Sequence, residues 1–325
     1  MIELGYSLSS EEHGPLELIE AAKQAEDSGF TFSLISDHFH PWNSRQQHSP
    51  FVWSTIGGIA VATKKLVLGT GVTCPIQRIH PALVAQAAAT SATMMPGRFF
   101  LGLGSGENLN EHLFGQRWPP TPQRQDMLAE AVALIRLLWK GETVTHHGKH
   151  FTVEDARIFT LPKQLPAIAI AASGTNAAQL AGEIGDALIA TTPDAKLVKA
   201  FESAGGKGKP RYGHITVCWA KSEDEARQTA LRCWPNAGLS SPLNTELRTV
   251  EHFDQAAEDM TAEQVAQSVC CGPDPEAHLK AIKKYIDAGF DHIYFHQVGP
   301  DQAGFFKFYS KEIMPQMRGA LAHSS

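Results

Sequence analysis

The stretch FSLISDHFHPW (residues 32–42) decides the fold. Its opening run, FSLI, lacks a regular polar–apolar alternation, which is the pattern of a strand covered on both faces, as in a parallel sheet under helices. The seven residues that follow hold an acid, two histidines, a proline and a tryptophan. A chain that sets its most reactive side chains directly after a buried strand is building a site at strand ends. Barrels of alternating strands and helices carry their chemistry there, because the loops at the carboxyl ends of the strands converge on the axis.

The same punctuation recurs on either side of that stretch. IELGYSL (2–8) precedes the helix former PLELIEAAKQAEDSGF (15–30), which stops at Gly29. After residue 42 comes a helical segment from Phe51 to Thr63, then LVLGTGV (66–72) with PALVAQAAATSATMM (81–95). RFFLGLG (98–104) leads to a helix that Thr121 can cap, with Pro122 in its first turn and Met127, Ala131, Leu134 and Leu138 at helical spacing. VTHHGKHFTV (144–153) reads as a hairpin, and AIAIAA (167–172), DALIAT (186–191), HITVCW (214–219) and DHIYFH (291–296) read as four more strands with helical stretches after them. Eight strand–helix units favour a closed (β/α)8 TIM barrel over an open doubly wound sheet. We expect one barrel domain over 1–325, with a hairpin excursion at about 142–155 and an irregular insertion at about 205–263.

The totals are those of an ordinary globular protein. The chain has 325 residues, 43% hydrophobic and 19% charged, a length that such barrels fold as one unit. No apolar run approaches the roughly 20 residues of a membrane span, and the start lacks the basic and apolar regions of a signal peptide, so a cytoplasmic protein with no membrane partner is expected. A formal charge of -6 gives no footprint for nucleic acid. Five cysteines without C-x-x-C spacing point to reduced, mostly buried thiols and to no metal site.

The strand ends supply the candidates. His38 alone reads as a structural histidine; beside Trp42 at a strand end it reads as a proton-exchanging group against a flat apolar wall. Asp37 can cap the turn between them. FLGLGSGENLNE (100–111) spaces its glycines G-x-G-x-G rather than G-x-G-x-x-G, which sets aside a nicotinamide site and leaves a turn that a ligand can approach, with Glu107 and Asn110 at its lip. ASGTN (172–176) opens a helix, where free N–H groups favour an anion. Glu11 and Glu12 follow the first strand at the same end. Arg78 and His80 either line the bowl or hold the next helix, and His146, His147 and His150 read as solvated residues of a surface ribbon.

Taken together, these strings resemble the luciferase-like (bacterial luciferase superfamily) oxidoreductases that use the 8-hydroxy-5-deazaflavin coenzyme F(420), in particular the F(420)-dependent glucose-6-phosphate dehydrogenase group. LGYSLSSEE, SDHFHPW, GVTCPIQRIHPA, RFFLGLGSGENLNE, AIAIAASGTN, AGEIGDALIAT and DHIYFHQVGPDQ have counterparts there in order. The resemblance implies that His38 takes or orients the hydroxyl proton of the substrate, that Trp42 lies beside the reacting carbon, that Glu107 is the acid near N1 of the coenzyme and that Glu11 is a further acid. It implies coenzyme contacts from Asp37, Gly71, Val72, Ser105, Gly106 and Asn110, a phosphate held by Ala172, Ser173, Gly174, Thr175 and Asn176, a cis Gly71–Val72 peptide, and a homodimer.

The expected activity is hydride transfer between coenzyme F(420) and an alcohol or carbonyl of a small-molecule substrate, including a sugar or sugar phosphate. An FMN-dependent monooxygenase and a non-catalytic deazaflavin-binding protein are the alternatives. Sugar-phosphate members of the group hold the phosphate with two lysines and an arginine, and Asp194, Gln255 and Ser268 stand at those places here, with Lys196 and Lys199 nearby. An acid opposite a phosphate repels it, so little activity on glucose 6-phosphate is expected.

Overall fold

A computed structural model describes residues 2–317. Its strands, in chain order, are β1 (Glu3–Leu8), β2 (Phe32–Ile35), β3 (Val67–Thr70), β4 (Phe99–Leu103), β5 (Val144–His147), β6 (Thr152–Ala156), β7 (Ile168–Ala171), β8 (Ala187–Ala190), β9 (Arg211–Cys218), β10 (Cys270–Cys271) and β11 (His292–Gln297). Strands β1, β2, β3, β4, β7 and β8 pair in parallel in that order, and β9 joins β8 on one side and β11 on the other. Because β11 also pairs with β1, the sheet closes into an eight-stranded barrel. β5 and β6 form the separate antiparallel hairpin, and the two residues of β10 pair in parallel alongside the end of β9.

The barrel is filled, not hollow. Phe32, Leu34, Phe100, Ala169, Ile189, Tyr212 and Tyr294 pack together inside it. Glycines face the largest of these rings: a Cβ on Gly5 would lie 2.4 Å from the Phe32 ring, and one on Gly69 would lie 2.1 Å from that of Phe100. Alternation of bulk around the wall lets the aromatic layer close the floor of the bowl.

Helices wrap the outside by burying one stripe each. The Pro15–Ser28 helix starts on a proline, buries Leu18, Ala22 and Ala25, and ends at Gly29 with φ 94°. That left-handed conformation favours glycine. Near its end the Glu26 carboxylate accepts the backbone N–H groups of Lys64, Lys65 and Leu66, which fixes the approach to β3.

Four local expectations change. The helix after β4 runs Thr121–Leu138 with Pro120 in the capping position, so Thr121 is its first residue and not its cap; the Thr121 hydroxyl accepts instead from Arg124. The hairpin histidines are not simply solvated: His150 meets Asp126 at 2.9 Å and His146 meets Glu130 at 3.4 Å, because the Thr121–Leu138 helix presents both acids to the ribbon. Only Cys74 and Cys218 of the thiols are buried, the other three being half-buried. The stretch from 205 to 263 contains barrel strand β9, after which it is largely helical: Glu223–Cys233, Ser241–Glu246, Val250–Ala256 and Ala262–Val265. Ser222 and Thr249 accept from the third N–H of their helices and Thr261 forms a capping box with Gln264, which is how so polar a segment makes helix starts.

Candidate active site

The loops after β1, β2, β3 and β4 meet over the aromatic floor. Ser9, Glu11, Ser36, Asp37, His38 and Thr73 all stand one to four residues beyond a strand end, the position to which a barrel brings side chains together.

His38 occupies the centre. Its Nδ1 is 2.6 Å from Oε1 of Glu11, an ion pair without the alignment of a ring N–H hydrogen bond, and its Nε2 is 3.9 Å from Oε2 of Glu107. The other oxygen of Glu11 accepts from the hydroxyls of Ser9 at 2.9 Å and Ser36 at 2.8 Å. Burial pushes the Glu11 carboxyl up, but the His38 charge and the hydrogen bonds outweigh it and bring the pKa down to about 2. Burial pushes His38 down in turn, and Glu11 and then Glu107 carry it up to about 8. His38 therefore carries a proton in the resting protein at neutral pH, within reach of losing it.

The Trp42 ring meets the His38 ring edge-on at 5.0 Å and leans on Phe253 at 5.3 Å. Its backbone is held by the Gln46 side chain, which accepts from the Trp42 N–H at 2.8 Å. The Asn110 carbonyl oxygen accepts from the N–H groups of Phe39 at 2.8 Å and His40 at 3.0 Å, so the β4 loop pins the β2 loop. The Asn110 amide nitrogen is buried without a partner.

Beneath these groups lies a buried charge set. Arg78 donates to Asp37 at 2.8 Å and stands 3.6 Å from Glu111, Thr73 donates to the other Asp37 oxygen at 2.7 Å, and Glu111 accepts the Arg78 N–H at 2.8 Å. Each Asp37 oxygen thus has a partner within the protein, which holds the loop carrying His38. Burial leads the effects that hold Glu111 above the ordinary carboxyl range despite Arg78.

The other expected residues stand in the loops after β3, β4 and β7. The Gly71–Val72 peptide is cis. Ser105 and Gly106 are half-buried beside it in the loop after β4. Gly106 has φ 75°, and a Cβ there would lie 2.5 Å from the Cys74 sulfur, so both conformation and space ask for glycine. Ala172 is buried, whereas Ser173, Gly174, Thr175 and Asn176 are exposed at the start of the Thr175–Ile184 helix, whose N-cap Gly174 offers no side-chain acceptor.

Several residues of this arrangement were not singled out from sequence. Ser9, Ser36 and Thr73 are small hydroxyl residues that only their strand-end positions mark. Arg78 holds the β2 and β4 loops through Asp37 and Glu111 and not the next helix, which His80 caps by accepting the Ala82 N–H. His214 and His296 point inward with Tyr212 and Tyr294, two residues further along the same strands, a period-two signal that can be read from HITV and DHIYFH.

The family model described as luciferase-like monooxygenase matches residues 2–292. The F(420)-dependent glucose-6-phosphate dehydrogenase of Microbacterium testaceum is 36% identical over 332 residues, covering 99% of this chain and 99% of that one. The F(420)-dependent hydroxymycolic acid dehydrogenase of Mycobacterium tuberculosis is 37% identical over 325 residues, covering 97% of this chain and 88% of that one. A solved structure of an F(420)-dependent secondary alcohol dehydrogenase in complex with an F(420)–acetone adduct superposes with a TM-score of 0.89 at 30% identity, over 96% of this chain and 98% of the other.

Proposed function

The chain belongs to the luciferase-like monooxygenase family, and on that premise we propose that it is an F(420)-dependent oxidoreductase moving a hydride between the coenzyme and an alcohol or carbonyl carbon of a small molecule. The observation that carries the proposal is His38, held between Glu11 and Glu107 and faced by Trp42. An alcohol losing hydride must also lose its hydroxyl proton, and a buried imidazole with a pKa of about 8 suits that exchange in either direction.

The residues present fit the coenzyme. The uncapped start of the Thr175–Ile184 helix, with Ser173 to Asn176 exposed around it, suits a phosphate. The unpartnered amide nitrogen of Asn110 suits a polar ring, and the half-buried Gly71, Val72, Ser105 and Gly106 suit its edges. When bound, the coenzyme supplies the carbon that accepts or gives the hydride. Glu11 fixes the orientation and charge of the His38 imidazole; His38 takes or returns the hydroxyl proton. Trp42 walls the reacting carbon from water, and Glu107, half-buried beside His38, answers charge on the ring.

The substrate we propose is an uncharged alcohol or its ketone rather than a sugar phosphate. Asp194 uses its carboxylate to cap the Ala195–Phe201 helix, accepting the Lys196 N–H at 2.8 Å, and Gln255 and Ser268 are exposed polar residues without charge. The working form we propose is a cytoplasmic homodimer. Its contact face is formed by the Val52–Ala62 and Pro81–Met94 helices, which leave Leu83 and Met94 exposed at a groove also lined by Trp53, Gly57 and Ala87. Sedimentation checks the assembly.

Titration of the pure protein with oxidised coenzyme F(420), and separately with FMN, tests the activity. Tighter F(420) binding, with oxygen-independent turnover of a secondary alcohol, is expected. Tighter FMN binding with oxygen-dependent turnover overturns the proposal.

A further inference from the structure

A second glutamate–histidine couple adjoins the first. Glu11 reaches His38 on the β2 side, and its neighbour Glu12 reaches His296 on the β11 side, with Oε2 2.5 Å from Nε2. His296 is buried, its ring met edge-on by Trp234 at 4.5 Å, and it lies parallel to the His214 ring at 5.8 Å and 16°. His214 in turn packs on Tyr294 of the aromatic floor at 4.8 Å.

His214 is unlike the other inward residues of its layer. It is half-buried, at the level where the floor ends and the bowl begins, and the register pairs it with Tyr294 while pairing the next inward residue, Thr216, with His296. Among the described residues, no side-chain partner acts on its ring: burial, then His296, push the imidazole down to about 3. A neutral imidazole offers one donor and one acceptor, the same complement as a hydroxyl group. The His214 ring is half-buried and, among the described residues, no side chain hydrogen-bonds it, so its donor and acceptor are open to a polar group in the bowl, while a neutral ring brings no charge to offset the desolvation of an anion.

We infer that His214, backed by the His296–Glu12 couple, receives a second uncharged hydroxyl or carbonyl group of the substrate, so that the enzyme selects diols and hydroxyketones over monofunctional alcohols. The inference deepens the alcohol/carbonyl reading and rests on it for the reaction, but binding at His214 can be measured without the coenzyme.

The first measurement is therefore made on the coenzyme-free protein with isotope-labelled histidine. The ring signals of His214 are assigned with His214→Leu and His214→Asn, then followed by NMR as propylene glycol or isopropanol is added. Propylene glycol is expected to move them saturably at concentrations where isopropanol does not, with binding about tenfold weaker in His214→Leu, read there and in the wild type from the ring signals of the stacked His296, the scale of one ordinary net hydrogen bond. The second measurement is the ratio of kcat/KM for propylene glycol over isopropanol in the holoenzyme, expected to be about ten or more and to fall near one in His214→Leu. Equal shifts from the two probes, no shift from either, or a preference that survives His214→Leu overturns the inference. If His214→Leu does not fold, His214→Asn and the wild-type titration decide it. Failure to bind F(420) removes the parent reading and leaves the NMR result standing.

Discussion

The two sides of the bowl are held in different ways. Around β2, β3 and β4 the loops are locked from below by charge: Arg78 joins Asp37 to Glu111, Thr73 closes on Asp37, and Asn110 grips the backbone next to His38. Around β8 and β9 the rim is a series of short helices that hold themselves by their own caps, with Gln255 and Ser268 exposed and Asp194 turned to its own helix start. In the first region each group needs every other, since a buried charge left without its partner is expensive. In the second, the exposed side chains Gln255 and Ser268 can change with little consequence for their neighbours, whereas buried Phe253 and Asn236 cannot.

The largest effect that tests this contrast is on stability. Arg78→Met leaves Asp37 and Glu111 buried without their cation and is expected to cost about 3–5 kcal/mol in urea unfolding. A loss below about 1 kcal/mol, the scale of an exposed ion pair, would show that the two regions are not held differently.

Next comes the reacting centre. His38→Ala is expected to lower turnover by about a hundredfold or more while F(420) affinity changes little, as read by steady-state kinetics and a binding titration. Unchanged turnover would make His38 a structural residue. With His38 near 8, kcat/KM for alcohol oxidation should rise with pH through about 8, because the base must first lose its proton, and carbonyl reduction should fall over the same interval. Glu11→Gln removes the leading attraction on that proton, so both profiles should move to lower pH. The same couple has a sign in stability. The raised His38 pKa contributes fully below the ordinary histidine range and is lost as pH rises through about 8; the depressed Glu11 pKa contributes above the ordinary carboxyl range and is lost as pH falls through about 2. Thermal midpoints of the wild type should thus exceed those of Glu11→Gln most clearly between those two ranges, and an equal difference at pH 9 would contradict the assignment.

The smallest effect sharpens the contrast from the other side. Gln255→Ala and Ser268→Ala should each leave stability within about 0.5 kcal/mol and coenzyme affinity unchanged. A change as large as that of Arg78→Met would place the β8–β9 rim in the locked class.

The barrel was legible because its signals are local: short apolar runs, helix starts on Pro15 and Pro81, and a stop at Gly29 repeat along the chain. His38, Trp42 and Glu107 were legible because they crowd the residues just after β2 and β4. What could not be read was pairing between distant loops. Nothing local assigns Glu11 to His38 and Glu12 to His296, because adjacent residues in a loop diverge only once β1 sits between β2 and β11. The β8–β9 rim failed for another reason: its helices are short and polar, and their caps, Ser222, Thr249 and Thr261, look like loop residues until the hydrogen bonds are seen.

The loop that carries Trp42 does not stand alone. Asn43 donates to the Cys233 carbonyl and to Asn236, partners 190 and 193 residues further on, the Ser44 N–H meets Asp254, and Phe253 backs the tryptophan ring. Contacts at such separations form only after much of the chain has already been ordered. As the polypeptide leaves the ribosome, its first half supplies strands β1 to β4, yet the floor waits for Tyr212 and Tyr294 and the backing of Trp42 waits for Phe253 and Asp254. A nascent or truncated chain therefore has a reactive histidine but no finished chamber for it, and competence arrives with completion.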